Sequence, residues 1–324
     1  MRPQIIVTLI LMLSAWMVPS HIFAAPPTPE KVGTWRFKKS DRPVKVVNLG
    51  GSVAAWQRGS YSQFLEAVCP RIEVVNRAKA RIGARQLKER FIKQIIRNRR
   101  VKPEQEEEMW IIFQGGLNSL STPHLTNKHI RDIFLRAHRA GIKSVGLSLG
   151  PWGNQKRWRG ADGFDALRRT RLAVDFIMGR LTPQEALERH AKERMEWKPG
   201  ELPTIAVDIF DSELRDRDAM PLNDKRLRHR LRYDKRIAAE LKRLPKALRD
   251  SALDRLEQDA RALAKQFMKP GYMAFDSIHP NMEGHRVMAT SICPSLPATW
   301  GCTCESIATL EWDKKARGLR ARAQ

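Results

Sequence analysis

Val44-Lys45-Val46-Val47-Asn48-Leu49 runs directly into Gly50-Gly51-Ser52. A short run this rich in Val and Leu, bounded by glycines, reads as a strand buried on both faces. Four further runs have the same character, at residues 72–75, 109–113, 143–149 and 204–209. Helical patterns separate them. Tyr61, Phe64, Leu65 and Val68 share one face, Leu87, Phe91 and Ile95 recur every fourth residue, and Ile130, Ile133, Phe134 and Ala137 repeat before Gly141. Strands alternating with helices imply parallel strands joined by crossovers. The expectation is an α/β sandwich around one main sheet.

After the fifth run the chain is too long to be a loop in a compact domain. Residues 225–269 are rich in Arg, Lys, Leu and Ala, with Leu253, Leu256, Ala260, Leu263 and Phe267 at helical spacing and Pro245 dividing two helices. We read residues 213–269 as a basic helical insertion packed on the core or covering the site. Residues 155–201 also read as helical and polar, with Thr182 as a cap and Pro183 in a first turn.

The chain opens Met1-Arg2, continues apolar from Ile5 to Leu13 and reaches Phe23-Ala24-Ala25-Pro26. This is the pattern of a secretory signal peptide, residues 1–24, followed by a linker, residues 25–40. An uncleaved anchor is the alternative, because the apolar stretch approaches the length of a bilayer span. The expected location is secreted or periplasmic. Residues 41–300 form the expected domain and residues 301–324 a basic tail. In an exported chain Cys293 pairs with Cys302 or Cys304, leaving Cys69 and the fourth cysteine to pair or stay free. No paired CxxC motif supports a metal site, and none of His124, His129 and His190 stands in an HExxH pattern.

Lys and Arg number 59 against 35 Asp and Glu, a formal charge of +24. Such an excess attracts polyanions without specifying one, whether an anionic polymer or an anionic membrane surface. No specific nucleic acid is expected. Much of the charge lies on helical faces, where it also serves simply as a solvated surface.

Three segments carry chemistry. Ser52 follows the first strand and two glycines, at what reads as the start of a helix, where free N–H groups favour developing negative charge. Gly83 follows the second strand, and Gly115-Gly116-Leu117-Asn118-Ser119 the third. A backbone N–H and an asparagine amide there can stabilise an oxyanion. Both positions follow strand C-termini, where open α/β sheets bind ligands. Asp276 and His279 stand three residues apart before Pro280-Asn281, a spacing that lets the carboxylate hold His Nδ1 and leave Nε2 facing a serine.

Taken together, Gly50-Gly51-Ser52, Gly83, Gly116-Leu117-Asn118 and Asp276-Ser277-Ile278-His279-Pro280-Asn281 with Gly284 resemble the four blocks of the SGNH (GDSL-like) serine hydrolases. Residues 140–153, ending Pro151-Trp152-Gly153, look like that family's fourth strand and its following loop, and Val207-Asp208-Ile209-Phe210 like its fifth. The resemblance implies a flavodoxin-like three-layer sandwich with a five-stranded parallel sheet and no cofactor. It implies ester hydrolysis through an acyl-serine, with Ser52 as nucleophile, His279 as base and then acid, and Asp276 orienting His279. The Ser52 and Gly83 N–H groups and the Asn118 side chain would form the oxyanion hole. Gly51 stands where the family usually has Asp, and Ser119 where an Asp commonly follows the asparagine; both mark a divergent subgroup. The expected substrate is an O-acylated, chiefly acetylated, carbohydrate or cell-wall polymer. The alternatives are a lipid ester, as for a lysophospholipase or thioesterase, or non-catalytic polyanion binding on the same fold.

Overall fold

The computed structural model describes residues 36–38, 41–98, 107–153, 161–221, 223–315 and 317–321. The expected signal peptide and most of the linker lie outside them. Five parallel strands form the main sheet: β1 (Val44–Gly50), β2 (Ile72–Asn76), β3 (Glu108–Gln114), β4 (Lys143–Leu147) and β5 (Ile205–Val207). Their order is β2-β1-β3-β4-β5, the flavodoxin-like order. The α/β expectation holds, with all five strands where the apolar runs place them.

Alternate residues of the central strands face opposite layers. Val46, Trp110 and Ile112 belong to one apolar cluster, which includes Phe64, Leu65 and Val68 of α1 (Tyr61–Val68) and Met288 and Ile292 of α9 (Met282–Ile292). Val47, Leu49, Ile111 and Phe113 belong to the other, with Leu87 and Phe91 of α2 (Ala84–Phe91) and Ile130, Ile133 and Phe134 of α3 (Pro123–Arg139). The continuous apolar runs follow from this, because a strand covered on both faces has no side left for polar residues.

Beyond β4 come α4 (Ala161–Ile177) and the short α5 (Pro183–Leu187). Thr182 caps α5 by accepting from Glu185 N–H, with Pro183 at its first turn. The basic stretch folds into α6 (Leu227–Tyr233), α7 (Lys235–Arg243) and α8 (Arg249–Ala264), packed on one another through Leu227, Leu231, Ile237, Leu241 and Leu253. Its two ends meet. Asp216 N–H donates to the Phe267 carbonyl at 2.9 Å and Lys269 N–H to the Leu214 carbonyl at 2.8 Å, beside an antiparallel bridge between Arg215 and Met268. The helices therefore leave and rejoin the body at one place, and the chain after Lys269 resumes close to where β5 left it.

Of residues 301–324, expected as a basic tail, residues 301–315 and 317–321 are described, and they are built into the body. Disulfides join Cys69 to Cys302 and Cys293 to Cys304, so all four cysteines are paired. Ile307 and Leu310 are buried in the first cluster, and β6 (Leu310–Asp313) pairs antiparallel with β7 (Gly318–Ala321). Among the described residues no helix is long and apolar enough to cross a membrane.

Candidate functional site

β1 and β3 come very close where they end. A Cβ on Gly50 would lie 2.0 Å from the Gln114 carbonyl oxygen, a contact only glycine avoids. Gly51 N–H then donates to that same carbonyl at 2.9 Å. Ser52 follows in a single turn closed by Ala55 N–H on the Gly51 carbonyl at 3.0 Å. The helix expected directly after Ser52 begins later, at Tyr61. Gly59, at φ +63°, interrupts the chain, and Ser60 and Gln63 form a reciprocal capping box that starts α1 there. Ser52 thus sits on a tight turn after a strand, with no helix directly behind it.

This turn is held from beneath by a buried polar network. Asn48, fully buried in β1, donates to the Ala54 carbonyl at 3.0 Å and to Ser62 Oγ at 3.2 Å, and accepts the Tyr61 hydroxyl at 2.7 Å. Asn76, at the end of β2, donates to the same Ala54 carbonyl at 2.9 Å. Burial pushes the Tyr61 phenol well above its ordinary range, so the hydroxyl stays a donor. One carbonyl two residues after Ser52 is therefore fixed by two strands at once.

The second half of the site arrives on residues 270–281. Asn281 N–H donates to the Tyr272 carbonyl and Ala274 N–H to the His279 carbonyl, both at 2.8 Å, so the segment folds back on itself. The Asn281 side chain caps α9 by accepting from Gly284 N–H at 2.9 Å. Within this turn Ser277 takes φ +59°, and Asp276 Oδ1 accepts the Ile278 and His279 N–H groups, each at 3.0 Å. The other oxygen, Oδ2, pairs with His279 Nδ1. Partial burial alone would raise the Asp276 carboxyl, but the two backbone donors and His279 outweigh it and hold the group below the usual carboxylate range. His279 Nε2 then lies 2.6 Å from Ser52 Oγ, across 227 residues of sequence.

Gly83 and Asn118 follow β2 and β3, the two neighbours of the strand that carries Ser52. Asn118 is exposed, and its Nδ2 donates to the Ile82 carbonyl at 3.2 Å, leaving a second amide hydrogen. Gly83 N–H donates to Gln86 Oε1 at 2.8 Å, in the first turn of α2. Ser119, where the resembled family commonly has Asp, accepts from Ala84 N–H at 3.1 Å and donates to the Gly116 carbonyl at 3.0 Å, so its hydroxyl ties the Gly83 loop to the Asn118 loop.

Two residues beside the pair escaped the sequence reading. The Trp56 ring stacks on His279 with centroids 6.5 Å apart, and the His285 ring lies tilted against the same indole at 5.6 Å. His285 is fully buried, its Nδ1 accepts from Tyr61 N–H at 3.4 Å, and its Nε2 has no hydrogen-bond partner among the described residues. Desolvation, with a smaller contribution from His279, pushes its pKa down to about 3, so it stays neutral. The one hint in the sequence is position: His285 lies four residues after Asn281, on the face of α9 that also carries Met288, Ala289 and Ile292.

Ser52, His279 and Asp276 thus form a chain of contacts beside the C-terminal end of β1 in a flavodoxin-like sheet, where open α/β sheets bind ligands. No family model matches the chain, and no curated protein matches it. Solved structures do overlap with it. A GDSL-like lipase from Bacteroides thetaiotaomicron is 14% identical, with a TM-score of 0.44 over 77% of this chain and 86% of its own. An acetyl xylan esterase is 11% identical, with a TM-score of 0.44 over 78% of this chain and 100% of its own. A second, from Geobacillus stearothermophilus and solved as a catalytic mutant, is 15% identical, with a TM-score of 0.40 over 79% and 95%. The chain is thus similar to GDSL-type and acetyl xylan esterase structures. With identity and TM-score this low, the functional reading rests on the geometry of the site itself.

Proposed function

We propose that this chain is an exported serine esterase of the SGNH kind that removes O-acyl groups, chiefly acetyl, from a carbohydrate or cell-wall polymer. One observation carries the reading: His279 bridges Asp276 and Ser52, with Nε2 at 2.6 Å from the serine oxygen. Asp276 stays ionised and holds Nδ1–H, which leaves Nε2 as the acceptor of the Ser52 proton. Ser52 Oγ attacks the acyl carbonyl, and His279 takes the proton. The oxyanion is received by Ser52 N–H and the free amide hydrogen of Asn118, with Gly83 N–H joining when it exchanges Gln86 for the substrate oxygen. His279 then protonates the departing alcohol, and water, activated by the same nitrogen, releases the acid from Ser52.

Export is supported by the N-terminal pattern and by two disulfides, which persist in oxidising compartments. The formal charge of +24 suits an anionic polymer as substrate or anchoring surface. The test is turnover of p-nitrophenyl acetate together with covalent labelling by a fluorophosphonate probe. Both are expected in the natural chain and neither in Ser52→Ala. Equal acetate turnover in the two, with salt-sensitive polyanion binding and no labelling, would replace the esterase with a binding module.

A further inference from the structure

Two small cavities lie on either side of Trp152. The first is lined by Val53, Gln114, Gly150, Met268, Ile278 and Pro280, with Trp152 as one wall. Val53 follows Ser52, and Ile278 and Pro280 bracket His279, so this cavity adjoins the serine–histidine pair. The second lies among Leu167, Thr170, Phe210, Leu263 and Phe267, again with Trp152 as a wall. Each measures about 20 Å³. One water needs about 10–15 Å³, so the cavity beside Ser52 accepts a methyl-sized group and little more.

The indole is held in place between them. Its N–H donates to Thr170 Oγ1 at 3.1 Å, and the Thr170 hydroxyl donates in turn to the Ala166 carbonyl at 2.8 Å. Thr170 is buried, with 1% exposure, so this anchor is shielded from water. Trp152 also packs against a cluster of Leu120, Leu149, Ala173, Val174 and Phe210. The basic insertion supplies the remaining wall. Phe267 faces the far cavity and its neighbour Met268 the near one, at the point where the insertion closes against Leu214 and Asp216.

We infer that Trp152 sets acyl length: it closes the acyl cavity at about the size of an acetyl group and walls off a second apolar space that receives a medium-length acyl chain once the indole is gone. The inference rests on the esterase reading and names the side chain that gives it its selectivity. Each methylene buried contributes about 0.8 kcal/mol, or roughly fourfold in kcat/KM. Two or three methylenes lodged in the space the indole vacates, continued by the second cavity, are therefore worth about 15- to 60-fold.

The experiment compares kcat/KM for p-nitrophenyl acetate, butyrate and octanoate. The natural chain should favour acetate over octanoate at least ~10-fold. Trp152→Ala should raise the octanoate-to-acetate ratio by about 15-fold or more, and Leu263→Trp added to it should refill the far cavity and lower the ratio again. Thr170→Val, which frees the indole without removing it, should move the ratio the same way by a smaller factor. It serves as the test should Trp152→Ala fail to fold. A folded variant whose turnover still depends on Ser52 but whose ratio is unchanged overturns the gate alone, as does a natural chain that already prefers octanoate. Acetate turnover that is equal in the natural chain and Ser52→Ala overturns the esterase reading instead.

Discussion

The strand-end platform and the basic insertion are held by different forces. Beneath Ser52 the interactions are buried and directional: Asn48, Tyr61, Ser62 and Asn76 converge on one turn with distances of 2.7–3.2 Å. In the insertion a narrow apolar seam of Leu and Ile joins α6, α7 and α8, and the polar contacts lie outside it in water. Arg228 reaches Asp250, Asp254 and Glu257, and Arg261 pairs with Asp224 at 2.5 Å, all partly exposed. Exposed pairs of this sort are screened and weak, whereas buried polar groups lose their full solvation when a partner is removed. Precision is therefore concentrated where Ser52 must meet His279.

The largest contrast should come from substitution at the platform. On the proposed esterase reading, Ser52→Ala is expected to lower p-nitrophenyl acetate turnover on the order of 10⁴-fold or more with an unchanged melting temperature, since the members of a catalytic triad act as one unit. Retained turnover in a folded variant would break the comparison at its strongest point.

The next effect is on stability. Folded His285 has a pKa of about 3, against about 6.5 when unfolded, so below pH 6.5 the unfolded chain binds a proton that the folded chain refuses. The stabilising contribution is whole above that pH and declines as pH falls towards 3, by about 1.4 kcal/mol per pH unit. Asp276, with its depressed pKa, adds a loss of the same sign below the ordinary carboxylate range. Urea midpoints measured from pH 7 to pH 4 should fall more steeply for the natural chain than for His285→Phe, and parallel slopes would remove His285 as the cause.

Smaller still, Asn118→Ala should cost about 100-fold in kcat with little change in KM, the usual loss of one oxyanion donor. A loss confined to KM would make Asn118 a substrate-binding group instead. At the bottom of the scale, Arg228→Ala in the insertion should change stability by less than ~1 kcal/mol and leave acetate turnover near that of the natural chain. A large drop in turnover would show that the insertion shapes the site through more than Phe267 and Met268.

The sequence by itself determined what is local or periodic. Buried strands follow from unbroken apolar runs, and the Asp276–His279 pair follows from a three-residue spacing closed by backbone bonds within one turn. The caps at Thr182 and Asn281 are equally local. Only the tertiary structure decided that Ser52 and His279 meet, because 227 residues separate them and their approach depends on the insertion closing on itself at residues 214–216 and 267–269. The same holds for Cys293, which takes Cys304 over Cys302, two residues apart in sequence, and for the start of the helix after Ser52, postponed to Tyr61 by Gly59 and the Ser60–Gln63 box. Neither the burial of His285 against Trp56 nor the placing of Trp152 between two cavities has a local signature, since each depends on side chains brought together from distant elements by packing.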